Sequence, residues 1–325
     1  MCNNLNKART LSKEKLKQLT EELSVTFTEN EFDKSFLENI CVYACGSLAR
    51  YELVENSDLD LFFINSSNKE FSTLYKQLFF QKLYEINNRL GYKSPSKFGL
   101  FWDFTSKKNL LDIGSQMEDY NNSLTARLLL ILESKPIFNA NLYDEVVKET
   151  VEEYFKDYKK IIENEEKFFP LFLINDIFRY WYTLTLNYEF RRDNKDSQND
   201  KCWKRLKLKY ARLLTCFSFI ACLFEKNITP EKVVEVIKKS PSERLDFVAA
   251  NNTNLSDIVS DINIKYDRFI LLKKLDEQQQ NSLWNNEVSK KEEFQKADEF
   301  HNAVVHTFMN EIYKTNETLR NKLDF

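Results

Sequence analysis

Glycine is scarce in this chain, with four residues in 325 against 27 phenylalanines, a balance that suits a helical protein packed with bulky side chains. Histidine is scarcer still. His301 and His306 are five apart and miss the i, i+4 spacing that shares a helix face, which argues against a zinc site. The six cysteines include no Cys-x-x-Cys pair, so neither a disulfide framework nor a zinc knuckle is expected. Long apolar runs are missing too. The best candidate, Cys216–Phe224, is too short to span a bilayer, so no membrane role is expected. The opening Met1-Cys2-Asn3-Asn4 lacks the apolar core of a signal peptide, and with unpaired thiols the expectation is a cytoplasmic protein. A net charge of −3 excludes a globally basic nucleic-acid binder but leaves local patches open.

At 325 residues the chain is long for one core and comfortable for two domains, and a hydrophobic content of 42% argues against disorder. Leu16, Leu19 and Leu23 recur at helical spacing over 11–23, with Ser12 as the expected cap. A short helix is expected over Asp33–Asn39, then a strand over 40–45. After the polar loop Asn65–Asn68, a helix over Phe71–Leu90 closes at Gly91. Lys97–Thr105 alternates as a strand would. From Leu124 nearly everything reads as helix: 124–133, 141–165, 170–190, 202–225, 230–239, 242–249, 255–275 and 290–322. Arg191–Asp200 reads as an exposed loop. The pattern breaks at 115–123, which places the expected domain boundary there, giving domains 1–120 and 121–325.

The chemistry concentrates in Gly46-Ser47-Leu48-Ala49-Arg50-Tyr51-Glu52 and Ser57-Asp58-Leu59-Asp60, which joins two apolar runs of strand length. Residues i and i+2 of a strand share a face, so Asp58 and Asp60 are expected to project together while Leu59 and Leu61 face the core. Two close carboxylates repel unless a cation lies between them, and Mg²⁺ suits hard oxygen ligands while leaving room for phosphate oxygens. Gly46 permits a tight turn, and Ser47 can open a helix whose first N–H groups cradle phosphate.

Gly-Ser followed by Asp-x-Asp at this gap resembles the nucleotidyltransferase superfamily that includes DNA polymerase beta. Arg50, Glu52 and Ser57 make the stretch more similar to its bacterial branch of PII-uridylyltransferase-type enzymes. Tyr51 departs from that pattern, standing where relatives often carry glycine or another small residue. The resemblance is specific at Gly46–Asp60, looser over about residues 40–215, and covers none of the last hundred residues. It implies an α+β fold, with a small mixed-sheet nucleotidyltransferase domain followed by a larger helical domain that closes the nucleotide cleft. It also implies two Mg²⁺ ions, or Mn²⁺, held by Asp58, Asp60 and a third carboxylate on a neighbouring strand. Asp103 is the candidate for that third position and Asp112 the runner-up. Gly46, Ser47 and Arg50 would hold the triphosphate.

Two segments of the helical half carry further candidates. Asn175 and Arg179 stand with Asp176 in an otherwise apolar helix, where Asp176 and Arg179 are spaced to pair. Between Arg191 and Arg212 there are nine Lys or Arg and three Asp, and Arg205, Lys209 and Arg212 share a helical face. The charges serve either as an ordinary solvated face or as a phosphate-binding wall. Under the resemblance, Asn175, Arg179, Lys207 and Arg212 contact the nucleotide. The reaction implied is transfer of a nucleoside monophosphate from an NTP or dNTP to a hydroxyl, with release of pyrophosphate. The acceptor is left open among a protein, a small molecule, an RNA end and another nucleotide. The competing readings are an inactive nucleotide-sensing module and a helical interaction protein of antitoxin or scaffold type.

Overall fold

The computed structural model describes residues 2–28, 30–55, 57–67, 69–92, 103–114, 122–163, 168–191, 197–225 and 228–314. The fold is α+β, mostly helical, with one small four-stranded mixed sheet. The chain divides into two compact units, Lys7–Lys156 and the pair Met1–Asn6 with Asp157–Phe325.

The first unit begins in α1 (Asn3–Thr26), continues through α2 (Lys34–Glu38) and enters β1 (Ile40–Ala44). A one-turn helix, α3 (Gly46–Ala49), leads to β2 (Leu61–Asn65), which pairs antiparallel with β1, Ala44 opposite Leu61. A parallel partner needs a crossover, which α4 (Thr73–Arg89) supplies before β3 (Phe104–Ser106). Ser72 caps α4 by accepting the Tyr75 amide, and Gly91, at φ +72°, ends it as expected. Then follow α5 (Lys107–Leu111), α6 (Ser123–Leu132), β4 (Lys135–Phe138) and α7 (Ala140–Tyr154), in sheet order β3-β2-β1-β4.

Alternation divides the sheet's side chains between two faces. Val42, Ala44, Leu61 and Phe63 join Leu19, Leu23, Phe36, Phe79 and Leu83 of α1, α2 and α4 in one core. Tyr43 points to the other face, stacked 5.7 Å from Phe62 and tilted against Tyr143 of α7 at 6.0 Å.

Three expectations are corrected here. Ser12 is not a cap: α1 starts nine residues earlier, and buried Ser12 donates to the Ala8 carbonyl while accepting the Leu53 amide. The boundary falls after Lys156 rather than at 115–123, because β4 pairs with β1 and returns α6 and α7 to the sheet unit. Residues 115–121 lie outside the described ones, as do 97–102 of the expected strand, 192–196 of the expected loop and 315–322 of the last expected helix. The basic segment is not one regular α-helix, for reasons given below.

The second unit is helical throughout its described residues. It comprises α8 (Tyr158–Glu163), α9 (Leu171–Arg191), α10 (Gln198–Lys207), a π-helical turn (Leu208–Arg212), α11 (Leu213–Leu223), α12 (Pro230–Ile237) and α13 (Pro241–Asn251). It continues through α14 (Ser256–Lys273), α15 (Glu277–Asn285), α16 (Glu287–Asn302), a second π-helical turn (Ala303–Phe308) and α17 (Met309–Lys314). Its first residues are tied down by Asp267, which accepts the Asn4 side chain at 2.9 Å and the Leu5 amide at 2.8 Å. Among the described residues, no helix is long and apolar enough to cross a membrane. All six cysteines are free thiols, and burial pushes the Cys222 thiol up to about 12.

Candidate active site

Antiparallel pairing of β1 and β2 brings the two halves of the Gly-Ser and Asp-x-Asp stretch together. Past Ala44–Leu61 the ladder continues into the turn, where the Cys45 amide donates to the Asp60 carbonyl at 2.9 Å. Gly46 follows with φ +64°, a conformation side chains resist. A Cβ built on it would meet the Asp60 carboxylate oxygen Oδ2 at 2.5 Å. Gly46 is therefore required twice, by its backbone and by the carboxylate resting against it.

Asp58 and Asp60 precede β2 rather than lying in it, yet the expected alternation holds: Asp58 is half-buried, Leu59 buried, Asp60 exposed and Leu61 buried. Ser57 clasps the loop before them, its hydroxyl accepting the Val54 amide at 3.0 Å and its own amide donating to the Val54 carbonyl at 2.9 Å. Half-buried Ser47 opens α3, whose first-turn amides have no preceding helical carbonyl to donate to.

Arg50 is turned inward, away from the triphosphate role expected of it. Its Nε donates to Glu52 at 3.0 Å and its Nη1 to Glu133, and both carboxylates are buried. These bonds tie the end of α3 to the end of α6, making Arg50 a positioning residue. Glu133 was not anticipated. Its only signal is an acid closing the apolar run Leu128–Leu132.

Tyr51 occupies a left-handed position, φ +61°. That conformation explains why a glycine would suit this place, and why the Tyr51 ring has compensating contacts. The ammonium groups of Lys13 and Lys135 lie 5.3 and 5.2 Å from its centroid. Such contacts are worth roughly 0.5–2 kcal/mol, the same order as the backbone strain.

Asp103 stands at the start of β3, which runs parallel to β2 with Phe104 opposite Phe63. Its Oδ1 accepts the Phe104 amide at 2.8 Å and lies 3.7 Å from Lys76 Nζ. Asp103 and Phe62 line one cavity. Asp112 is the exposed C-cap of α5, on a helix end and not a strand. Among the described residues no three His, Cys, Asp or Glu side chains converge as a ready-made metal cluster. The structure thus joins Gly46 to Asp60 and gives Asp103 a lysine neighbour.

In the helical unit, Asp176 is buried and 3.5 Å from half-exposed Arg179. The side-chain oxygen of Asn175 is buried and has no hydrogen-bond partner among the described residues. The π turn over Leu208–Arg212 widens the helix, so Arg205, Lys209 and Arg212 do not keep the α-helical register expected of them. Arg205 stacks over the Phe294 ring at 4.3 Å, and Lys209 pairs with Asp298. Lys207 is exposed and Arg212 half-buried. No family model matches the chain, and no curated protein matches it significantly.

Proposed function

We propose that the sheet unit is a metal-dependent nucleotidyltransferase, moving an NMP or dNMP from a nucleoside triphosphate to a hydroxyl. The observation that carries this reading is the approach of the Asp60 carboxylate to left-handed Gly46, which sets an acid against the turn that opens α3. The residues fit a hard divalent cation. Asp58 and Asp60 offer carboxylate oxygens two residues apart, and the Gly46 side of Asp60 is kept clear by the missing Cβ.

Asp58 and Asp60 would hold Mg²⁺, with Mn²⁺ as a substitute and phosphate oxygens completing the coordination. The bound ions would neutralise charge on the triphosphate and on the acceptor oxygen. Ser47 and the amides of Gly46, Ser47 and Leu48 hold the β- and γ-phosphates. Arg50, locked to Glu52 and Glu133, keeps that turn in place. The acceptor oxygen forms a bond to the α-phosphorus as the bond to the bridging oxygen breaks. Pyrophosphate leaves, and the acceptor proton passes to the Asp103 carboxylate. Catalysis is positioning plus charge neutralisation.

The pairing of Asp103 with Lys76 favours a second reading, a nucleotide sensor without turnover. The deciding experiment is incubation with each labelled NTP and dNTP plus Mg²⁺ or Mn²⁺, with products resolved as protein-bound, RNA-bound or free. Transfer of label with release of pyrophosphate supports the enzyme. Stabilisation by an NTP without any product supports the sensor, and neither effect sinks both.

A further inference from the structure

Beside Asp103 the sheet unit encloses a cavity of about 360 Å³, within the range of small-molecule sites, roughly 300–1,000 Å³. It lies at the edge of the sheet, where the three residues of β3 pair with Phe63–Asn65 of β2 and stop short of Phe62.

Its walls are fixed before any ligand arrives. Fully buried Arg127 on α6 donates to the Tyr154 hydroxyl of α7 at 2.9 Å and to the Leu110 carbonyl of α5 at 3.1 Å. Lys107 of α5 donates to Glu145 and Glu149 of α7 at 2.6 and 2.8 Å. Burial alone would lower the Lys107 ammonium, but these hydrogen bonds outweigh it and raise its pKa. A pre-formed wall spares a ligand the cost of ordering it.

The lining chemistry is selective. Neutral hydrogen-bonding side chains dominate, among them Asn65, Thr105, Asn109 and Thr125. The charged groups are two carboxylates, Glu70 and Asp103, against one ammonium, Lys76, which lies 4.0 and 3.7 Å from them. A polyanion needs several free Lys or Arg groups, and among the described residues this wall offers Lys76 alone, already beside two carboxylates. Amides and hydroxyls set around two phenylalanine rings instead match a compact ligand with many hydroxyls and apolar ring faces.

We infer that this cavity is the acceptor pocket, and that it takes a hydroxylated small molecule, neutral or carrying an amine, rather than a nucleic-acid end. The inference rests on the nucleotidyltransferase reading for the word acceptor. Its binding chemistry stands on the cavity alone.

The test uses the full chain and three probes, glucosamine, glucose 6-phosphate and a single-stranded oligonucleotide, followed by ligand-observed NMR. Glucosamine is expected to bind at least tenfold more tightly than glucose 6-phosphate. Thr125→Trp, which fills the cavity, should abolish binding, and Asn109→Leu should weaken it at least threefold. Should Thr125→Trp fail to fold, Asn109→Leu alone decides. Tighter binding of the phosphate ester or the oligonucleotide, no glucosamine binding, or glucosamine binding untouched by these substitutions overturns the inference. Stabilisation by Mg²⁺ with NTP is measured in parallel. Its presence without glucosamine binding refutes the pocket assignment alone, whereas glucosamine binding without it refutes the nucleotide reading alone.

Discussion

The stretch 46–60 and the basic segment 203–212 both look functional in the sequence, but they take their geometry from different sources. In the first, antiparallel pairing of β1 and β2 delivers Asp60 against Gly46, so position is set by backbone bonds that surface charges cannot alter. In the second, a π turn breaks the helical spacing, and neighbours in the same unit take up charges: Phe294 lies under Arg205 and Asp298 pairs with Lys209. A motif defined by turn, gap and strand survives folding intact, whereas a run of like charges acquires its meaning only from what packs beside it.

The contrast is sharpest at Arg50, a cation within the motif that behaves structurally. Arg50→Ala removes the guanidinium that buried Glu52 and Glu133 both accept from, and removing one partner of a buried ion pair costs about 3–5 kcal/mol. Urea unfolding should show a loss of that size. Lys207→Ala, at an exposed site, should stay within about 0.5 kcal/mol. Equal losses would erase the distinction drawn here.

Glycine substitutions probe the turn more finely. Gly46→Ala and Gly91→Ala both place a side chain at positive φ, worth about 1 kcal/mol, but only Gly46 has a carboxylate in the way. Gly91→Ala should show the backbone cost alone, since nothing lies within 4 Å. Gly46→Ala should be the more destabilising and should also displace Asp60, abolishing NTP-dependent turnover. Identical unfolding midpoints would mean Asp60 does not rest on Gly46.

Acid titration gives the smallest effect and separates the units. Burial raises the Glu293 carboxyl, but hydrogen bonds from Arg268 and Lys296 outweigh it and leave its pKa lowered. Because the folded value is below the unfolded one, about 4.3, its stabilisation is complete above that pH and is lost as pH falls through the folded value. Glu293→Gln should therefore flatten the acid limb of the helical unit's stability as pH falls below the unfolded value of about 4.3. An unchanged limb would remove Glu293 from the account.

Much of the sheet unit was legible because its signals are local. The apolar runs, the burial of Leu59 and Leu61 and the helix stop at Gly91 each act within a few residues. Lys135–Phe138 was not read as a strand, because Ser134-Lys135-Pro136 looks like a helix stop and its pairing with Val42–Ala44 is about ninety positions distant. Glu133, Lys76 and the cavity wall were hidden for the same reason, since contacts across the chain leave no spacing to count. The π turn escaped because one extra residue per turn resembles ordinary helix in composition.

The central claim is tested most directly by pyrophosphate release from Mg²⁺ and each NTP, comparing the intact chain with Asp58→Asn, Asp60→Asn. The account predicts release by the intact chain and loss of at least a hundredfold in the double variant. Its melting temperature in metal-free buffer should be unchanged or higher, because two like charges two residues apart are removed. Release at the same rate from both proteins would contradict the assignment of Asp58 and Asp60.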